Sequence, residues 1–342
     1  MSHSSPVFMD SQAAADFLGP GALYKPEYQP EILDMVRRRG VLGQRIPAVP
    51  ATGQPSRYFE QTRIARGGFQ DPRSMNYTAG ADPTRRERSL VIKAIVASIG
   101  FGLFDVEVTR QQGGNFSGLV AKDINDTIEG TMSTSDEALW LGSDTSLTVP
   151  ATIEYVGAVN QINRTASVSS TASIIDAVKA EVAALMAQKL VRVMPTAIYV
   201  NPVLGDLIDQ EERLNQRQMP RTTLSEVTGG LTVNAIATQA GLLPIIPDPY
   251  LSNGVSGASS SESGKTDYKL MILSERLVER HYVTTPEPRV FVLGLEGNLA
   301  TRYAVVLFDA VVFKGKADLA TSQNTAEGTQ TTYAHSYVTV VR

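Results

Sequence analysis

Apolar and polar positions along the chain follow two rhythms. Between residues 116 and 131, Phe116, Leu119, Val120, Ile124, Thr127, Ile128 and Thr131 recur every three or four positions. Asp123, Asn125, Asp126 and Glu129 fill much of the other side, so the period lays one apolar stripe along a helix of about 20 residues. Residues 136–142 end that unit. Ile174, Val178, Val182, Leu185 and Leu190 predict a second helix over residues 173–193, with Ser173 and Asp176 at capping-box spacing and Pro195 as its stop. Asn201 and Pro202 then cap and start a helix that reaches residue 218 and is polar after Ile208. Residues 233–240 also read as helical, ended by Gly241.

The second rhythm is that of strands. Residues 89–109 are strand-rich, with Phe104, Val106 and Val108 alternating against Asp105 and Glu107. Residues 196–200 and 242–246 predict short strands, and residues 289–293 and 303–314 longer β runs. Residues 269–282 fit strand and helix equally, and residues 337–341 form a candidate final strand. There is no internal repeat.

Between these elements lie stretches that cannot build a core. Residues 1–28, with Pro6, Gly19, Pro20, Gly21 and Pro26, predict an extended segment. A short helix follows, with Pro30 at its first position, Ile32, Leu33 and Val36 on one face, and Gly40 at its end. Arg37, Arg38 and Arg39 in its last turn read as solvated charge that complements the helix dipole, with nucleic-acid contact as the sharper alternative. Residues 55–92 have strand-like ends around a middle of Gly67, Gly68, Asp71, Pro72, Gly80 and Pro83, which predicts a long two-stranded arm. An isolated hairpin is marginal in water, so this arm is expected to lie on another subunit. Its Arg57, Arg63, Arg66, Arg73, Arg85, Arg86 and Arg88 face Glu60, Asp71, Asp82 and Glu87, seven charges against four for a net of +3. An acidic neighbouring surface is the expected partner. Residues 251–266 are Ser/Gly-rich, with Ser252, Gly257 and Gly264 among them, and predict a change-tolerant surface loop.

Composition narrows the classes. The 342 residues suffice for about two domains at roughly 100–200 residues each. Charged residues are only 19 %, which suits a protein that hides surface in subunit contacts. A net charge of −4 does not suggest a dedicated nucleic-acid binder, because phosphate binding needs a basic stripe. The absence of cysteine excludes disulfides, thiolate nucleophiles and Cys-ligated zinc. Residues 1–10 show no secretory pattern, and the longest apolar-rich run, 94–104, falls far short of the ~20 residues of a membrane helix.

No catalytic constellation emerges. His3, His281 and His335 are scattered, with none at metal-ligand spacing. Gly264-Lys265-Thr266 has the end of a phosphate-binding loop, but Ser259 stands where that motif needs glycine, and no buried strand precedes it. Gly100 and Gly102 lack the third glycine of a dinucleotide fingerprint, and no serine occupies a nucleophile elbow. Asp123 and Asp126 read as a solvated helix face. No cofactor or metal is expected, and the protein is not expected to be an enzyme.

The order of elements is more specific than any short motif. Residues 30–42, the long arm at 55–92, residues 115–134 running into 136–142, Pro195 to Pro202, Gly241 to Pro249, and the run 303–317 follow one another in a set sequence. In this order the chain resembles the major capsid protein of tailed double-stranded-DNA bacteriophages, the Johnson fold also seen in encapsulin shells. The likeness covers residues 30–317.

The resemblance implies an α+β fold. Residues 1–54 would be an N-terminal arm with its short helix, and 55–92 an extended loop. Residues 93–200 would be a peripheral domain holding a spine helix and the second long helix, and 201–268 an axial domain. Residues 269–316 would be return strands, and 317–342 a C-terminal extension. It implies a virion capsid protein, assembled in the host bacterial cytoplasm into pentamers and hexamers of an icosahedral shell around packaged double-stranded DNA. A portal, a separate scaffolding protein and a decoration protein are the other implied partners, and no membrane is involved. Alternatives are an encapsulin-type compartment and a two-domain α/β enzyme. Two departures bear on chemistry. No lysine lies between Lys25 and Lys93, against the lysine crosslink of some members. The arm begins almost at Met1, so scaffolding is expected to come from a separate protein or to be unnecessary.

Overall fold

A computed structural model describes residues 40–63, 68–75, 83–104, 106–107, 119–188, 193–214, 224–228, 231–233, 235–251, 253–256, 264–295, 300–315 and 333–342. In chain order the elements are α1 (Leu42–Arg45), β1 (Ala48–Pro50), β2 (Ser56–Arg63), β3 (Thr84–Leu90), β4 (Lys93–Gly102), α2 (Leu119–Leu141), α3 (Ala158–Gln161), β5 (Thr165–Val168), α4 (Ile174–Met186), β6 (Ala197–Val200) and α5 (Pro202–Leu214). There follow β7 (Leu224–Thr228), β8 (Leu231–Val233), β9 (Ala235–Thr238), β10 (Gly241–Pro247), β11 (Asn253–Ser256), β12 (Thr266–Leu273), β13 (Val278–Tyr282), β14 (Arg289–Leu295), β15 (Ala300–Phe313) and β16 (Ser336–Val341).

Two sheets organise the body. In the first, the long strand β15 pairs antiparallel with β4 along one edge. Its other edge is shared, β14 taking the first half and β13 the second, with β1 parallel to β13 beyond. In the second, the order is β5-β16-β12-β6-β10-β9, and β11 also pairs with β12. β6 lies inside this sheet with all four residues buried, as a strand covered on both faces must be. Its alternation assigns the two cores. Ile198 and Val200 join Val178, Val182, Leu204, Leu270 and Val338 beneath α4 and α5. Ala197 and Tyr199 face the other way, with Trp140, Met271, Val311, Phe313 and Leu42, and weld the two sheets together.

Local chemistry explains the helices. α2 carries Thr127, Thr131 and Thr134, and each hydroxyl donates to the carbonyl four residues back, so none is left unpaired on a half-buried surface. Ser173 caps α4 by accepting from Asp176 N, as its spacing predicts. Glu211 of α5 reinforces that end, accepting from Ser173 Oγ at 2.6 Å and Ile174 N at 2.9 Å. Asn201 Oδ1 accepts from Val203 N at the start of α5.

Several expectations need correction. The long helix does not stop before residue 136; it runs through Leu141, because Asp136 is buried there with a partner, Gly40 N. Where the alternating residues 104–108 are described they are not a strand: Leu103, Phe104, Val106 and Glu107 have helical backbone. β4 ends at Gly102, paired with Ala300 of β15. The second helix ends at Met186, where Gln188 turns its amide to Leu185 O and to the backbone of Tyr333. Ala235–Thr238 is a strand rather than part of a helix, hairpinned to β10 through Gly241, whose φ of +100° lies in the left-handed region. Asn253–Ser256, inside the expected loop, is an edge strand. The predicted helix at residues 30–39 lies outside the described residues.

Candidate assembly interface

The arm is a two-stranded ladder. β2 and β3 pair antiparallel from Ser56 opposite Leu90 to Arg63 opposite Thr84, with an irregularity between Gln61 and Arg63. Its side chains alternate between two fates. At the base, Leu90 is buried with Ala310 and Val312, and Tyr58 and Leu147 pack against them. Farther out, Phe59, Phe69 and Met75 are 73 %, 110 % and 80 % exposed, large apolar groups left uncovered among the described residues.

The predicted arginines separate accordingly. Arg57 donates to Glu87 at 2.9 Å across the ladder, an exposed pair worth about 0–1 kcal/mol. Arg88 donates to Glu60 at 3.1 Å in a more sheltered pair. Arg73 and Arg85 are exposed. Arg63 and Arg86 lie on β2 and β3, and their side chains, like all of Arg66, are outside the described residues. Of the loop residues, Gly264 is exposed with φ +75°, while Ser252 and Gly257 lie outside the described residues. Thr266 opens a strand, not a helix, and its N–H donates to Arg342 O.

The base of the arm holds a polar cluster that sequence reading missed. Ser56 Oγ lies 2.9 Å from His281 Nδ1, and His281 Nε2 lies 3.3 Å from Glu279 Oε2. Lys314 Nζ contacts Glu279 Oε1 at 2.5 Å and sits 5.1 Å from the Tyr58 ring centroid. Glu60 Oε1 accepts from Gly315 N. Burial holds the His281 imidazole below the ordinary histidine value and pushes the Tyr58 hydroxyl up. Glu279 and His281 stand two residues apart, on one face of a strand. That spacing is the only signal in the sequence, and it emerges once residues 278–282 are known to be extended.

On the body, an open groove of about 460 Å³ lies between α2, β4 and residues 153–155. Its lining includes Ala94, Val96, Ala138, Leu141 and Ile153, with Glu137 and Glu154 among them. Val96 is 62 % and Ile153 91 % exposed. The groove's third wall is fixed by two devices. Lys93 Nζ donates to Asp144 Oδ2 at 2.9 Å and to Thr152 O, while Asp144 Oδ1 accepts from the N–H groups of Thr145, Ser146 and Ala151. Burial alone would raise Asp144, but Lys93 and these N–H groups outweigh it and bring the carboxyl down to about 2. Gly142 and Gly157 let two backbones touch: a Cβ on Gly142 would sit 2.4 Å from Tyr155 O.

The point where the N-terminal segment meets the body is held by carboxylates. Gly40 N donates to Asp136, and Val41 N and Leu42 N donate to Asp248. Among the described residues no group of His, Asp and Glu could hold a metal, and no helix is long and apolar enough to cross a membrane.

No protein-family model matches the chain, and neither does any curated protein sequence. Solved structures do match. The Gordonia phage Cozz structure superposes with a TM-score of 0.62 at 11 % identity, covering 99 % of this chain and 98 % of that one. The head structure of Helicobacter pylori bacteriophage KHP40 gives 0.62 at 9 % identity, over 94 % and 96 %. This is the Johnson capsid fold. It extends to the SrpI encapsulin of Synechococcus elongatus PCC 7942, with a TM-score of 0.55 at 14 % identity over 96 % and 95 % of the two chains. At these identities the Johnson fold is kept by the arrangement of elements, which accounts for the agreement over nearly the whole chain.

Proposed function

We propose that this chain is the structural subunit of a closed shell, a major capsid protein whose copies form pentamers and hexamers around packaged double-stranded DNA. The observation that carries this reading is the agreement, over nearly the whole chain, with the Gordonia phage Cozz structure and the head structure of bacteriophage KHP40. The exposed apolar side chains of the arm support it, since they are left uncovered among the described residues. In this reading the arm of one copy lies on the groove of the next. Phe59, Phe69 and Met75 meet the apolar lining, and Arg73 and Arg85 approach Glu137 and Glu154. A patch that fits a different patch on the same molecule makes a head-to-tail contact, which forms rings where the rotation between copies closes. A portal, a scaffolding protein and a decoration protein would complete a virion capsid built in the bacterial cytoplasm, with no catalytic role for this chain.

Electron microscopy and sedimentation of the expressed protein, with its co-encoded partners, test the reading. Closed particles are expected. Deletion of residues 67–80 should leave a folded subunit that assembles poorly. Monomer under every condition, or normal particles from the deletion, would overturn the shell or the arm role respectively. The encapsulin likeness supports one further reading, a protein compartment, which differs in its contents: nucleic acid in one case, a cargo protein in the other.

A further inference from the structure

Among the described groups that fasten the arm to the body is a histidine, the side chain whose ordinary value lies nearest neutrality. Ser56, Tyr58 and Glu60 project from β2 toward β13 and residues 314–315, where they meet His281, Lys314 and the Gly315 N–H. Ser56 is 5 % and His281 4 % exposed, so water does not mediate their contact freely. We propose that His281 is a proton-operated pin at the arm's hinge, holding the arm down when neutral and loosening it when charged. This rests on the reading of the arm as an assembly element only for its purpose, not for its mechanism.

The hydrogen-bond arithmetic gives the direction. A neutral imidazole has one donor and one acceptor. With Nε2–H donating to Glu279, Nδ1 accepts the Ser56 hydroxyl, and both nitrogens are satisfied. A proton added at Nδ1 ends that acceptance. The Ser56 hydroxyl must rotate, so that its oxygen accepts and its hydrogen loses its partner in a buried place. Charge points the same way. The groups facing His281 are Glu279 and Lys314 from the body and Tyr58 from the arm, with the Glu60–Arg88 pair behind. Arg280 and Asp309 pair with each other on the opposite face of β13. Glu279 balances Lys314, so a charged His281 leaves one uncompensated positive charge inside the joint.

The folded, docked arm therefore binds fewer protons than the undocked one. By linkage, docking is fully favoured above the ordinary histidine value of about 6.5 and weakens as pH falls below it.

The chain has no cysteine, so two introduced ones report the arm without interference. The exposed Phe69 on the arm and Thr148 on the body are replaced in a full-length F69C/T148C subunit, and spin labels are attached. Interspin distances are measured on unassembled subunits from pH 8 to pH 5. A single narrow distribution at pH 8, giving way to a broad one below about pH 6.5, is expected. His281→Gln should remove the pH response, and Glu279→Gln should move its midpoint to lower pH. An arm that does not respond to pH, or a response that survives unchanged in H281Q, overturns the proposal. Because these subunits are unassembled, failure of the shell reading appears separately, as absence of particles.

Discussion

Leu90→Ala is expected to undock the arm without unfolding the body. Leu90 is 2 % exposed and plugs a small cluster of Ala310 and Val312, with Tyr58 and Leu147 at its edge. It belongs to neither of the two main cores. Leucine-to-alanine changes in cores cost about 2.7–5 kcal/mol, and the low end applies where neighbours can collapse into the void. A peripheral cluster with partly buried Tyr58 and Leu147 beside it is such a place, so the expected cost is about 2.7 kcal/mol. If that cost falls on a local opening, amide exchange in β2 and β3 should quicken by about a hundredfold. Amides of Ala197–Val200, in the sheet between the two cores, should be unchanged. Hydrogen exchange read by mass spectrometry gives both values from one sample. Equal acceleration in arm and body would mean that Leu90 supports the whole fold. Unchanged exchange in the arm would mean that the buried plug does not hold it, and either result refutes the reasoning.

Three further outcomes are expected. The loop at residues 143–156 should open in acid: a carboxylate lowered from 3.8 to about 2 stabilises above the first value and loses that contribution as pH falls toward the second. Protease cleavage there between pH 4 and pH 2 checks it, and Asp144→Asn should cleave readily at neutral pH. Assembled particles should be non-covalent, since residues 26–92 lack lysine and the chain lacks cysteine. Boiled particles should run near 36.9 kDa on a denaturing gel, and a ladder of multimers would contradict this. Replacing Lys265 and Thr266 with alanine should leave assembly intact and alter no nucleotide affinity, because the Thr266 backbone is already committed to Arg342.

The sequence alone determined what is local. The stripe of α2, the cap of α4 at Ser173 and the start of α5 at Asn201 were legible because each depends on residues within a few positions of one another. So was the two-stranded arm, whose turn formers and strand-like ends lie in one stretch. The order of such elements was enough to indicate the capsid fold. Where local signals have two meanings, tertiary structure chose. A left-handed glycine ends a helix and also turns a hairpin, and Gly241 does the second because β10 offers Ala235–Thr238 a partner. Alternation at residues 104–108 suits a strand, yet Phe104, Val106 and Glu107 take helical backbone just past the end of β4 at Gly102. β16, at the chain's end, became an interior strand between β5 and β12, partners about 170 and 70 residues away that no local pattern names. The cluster at His281 has the same origin: its serine, histidine and lysine come from three distant segments, and only the docking of the arm on β13 brings their atoms within bonding distance.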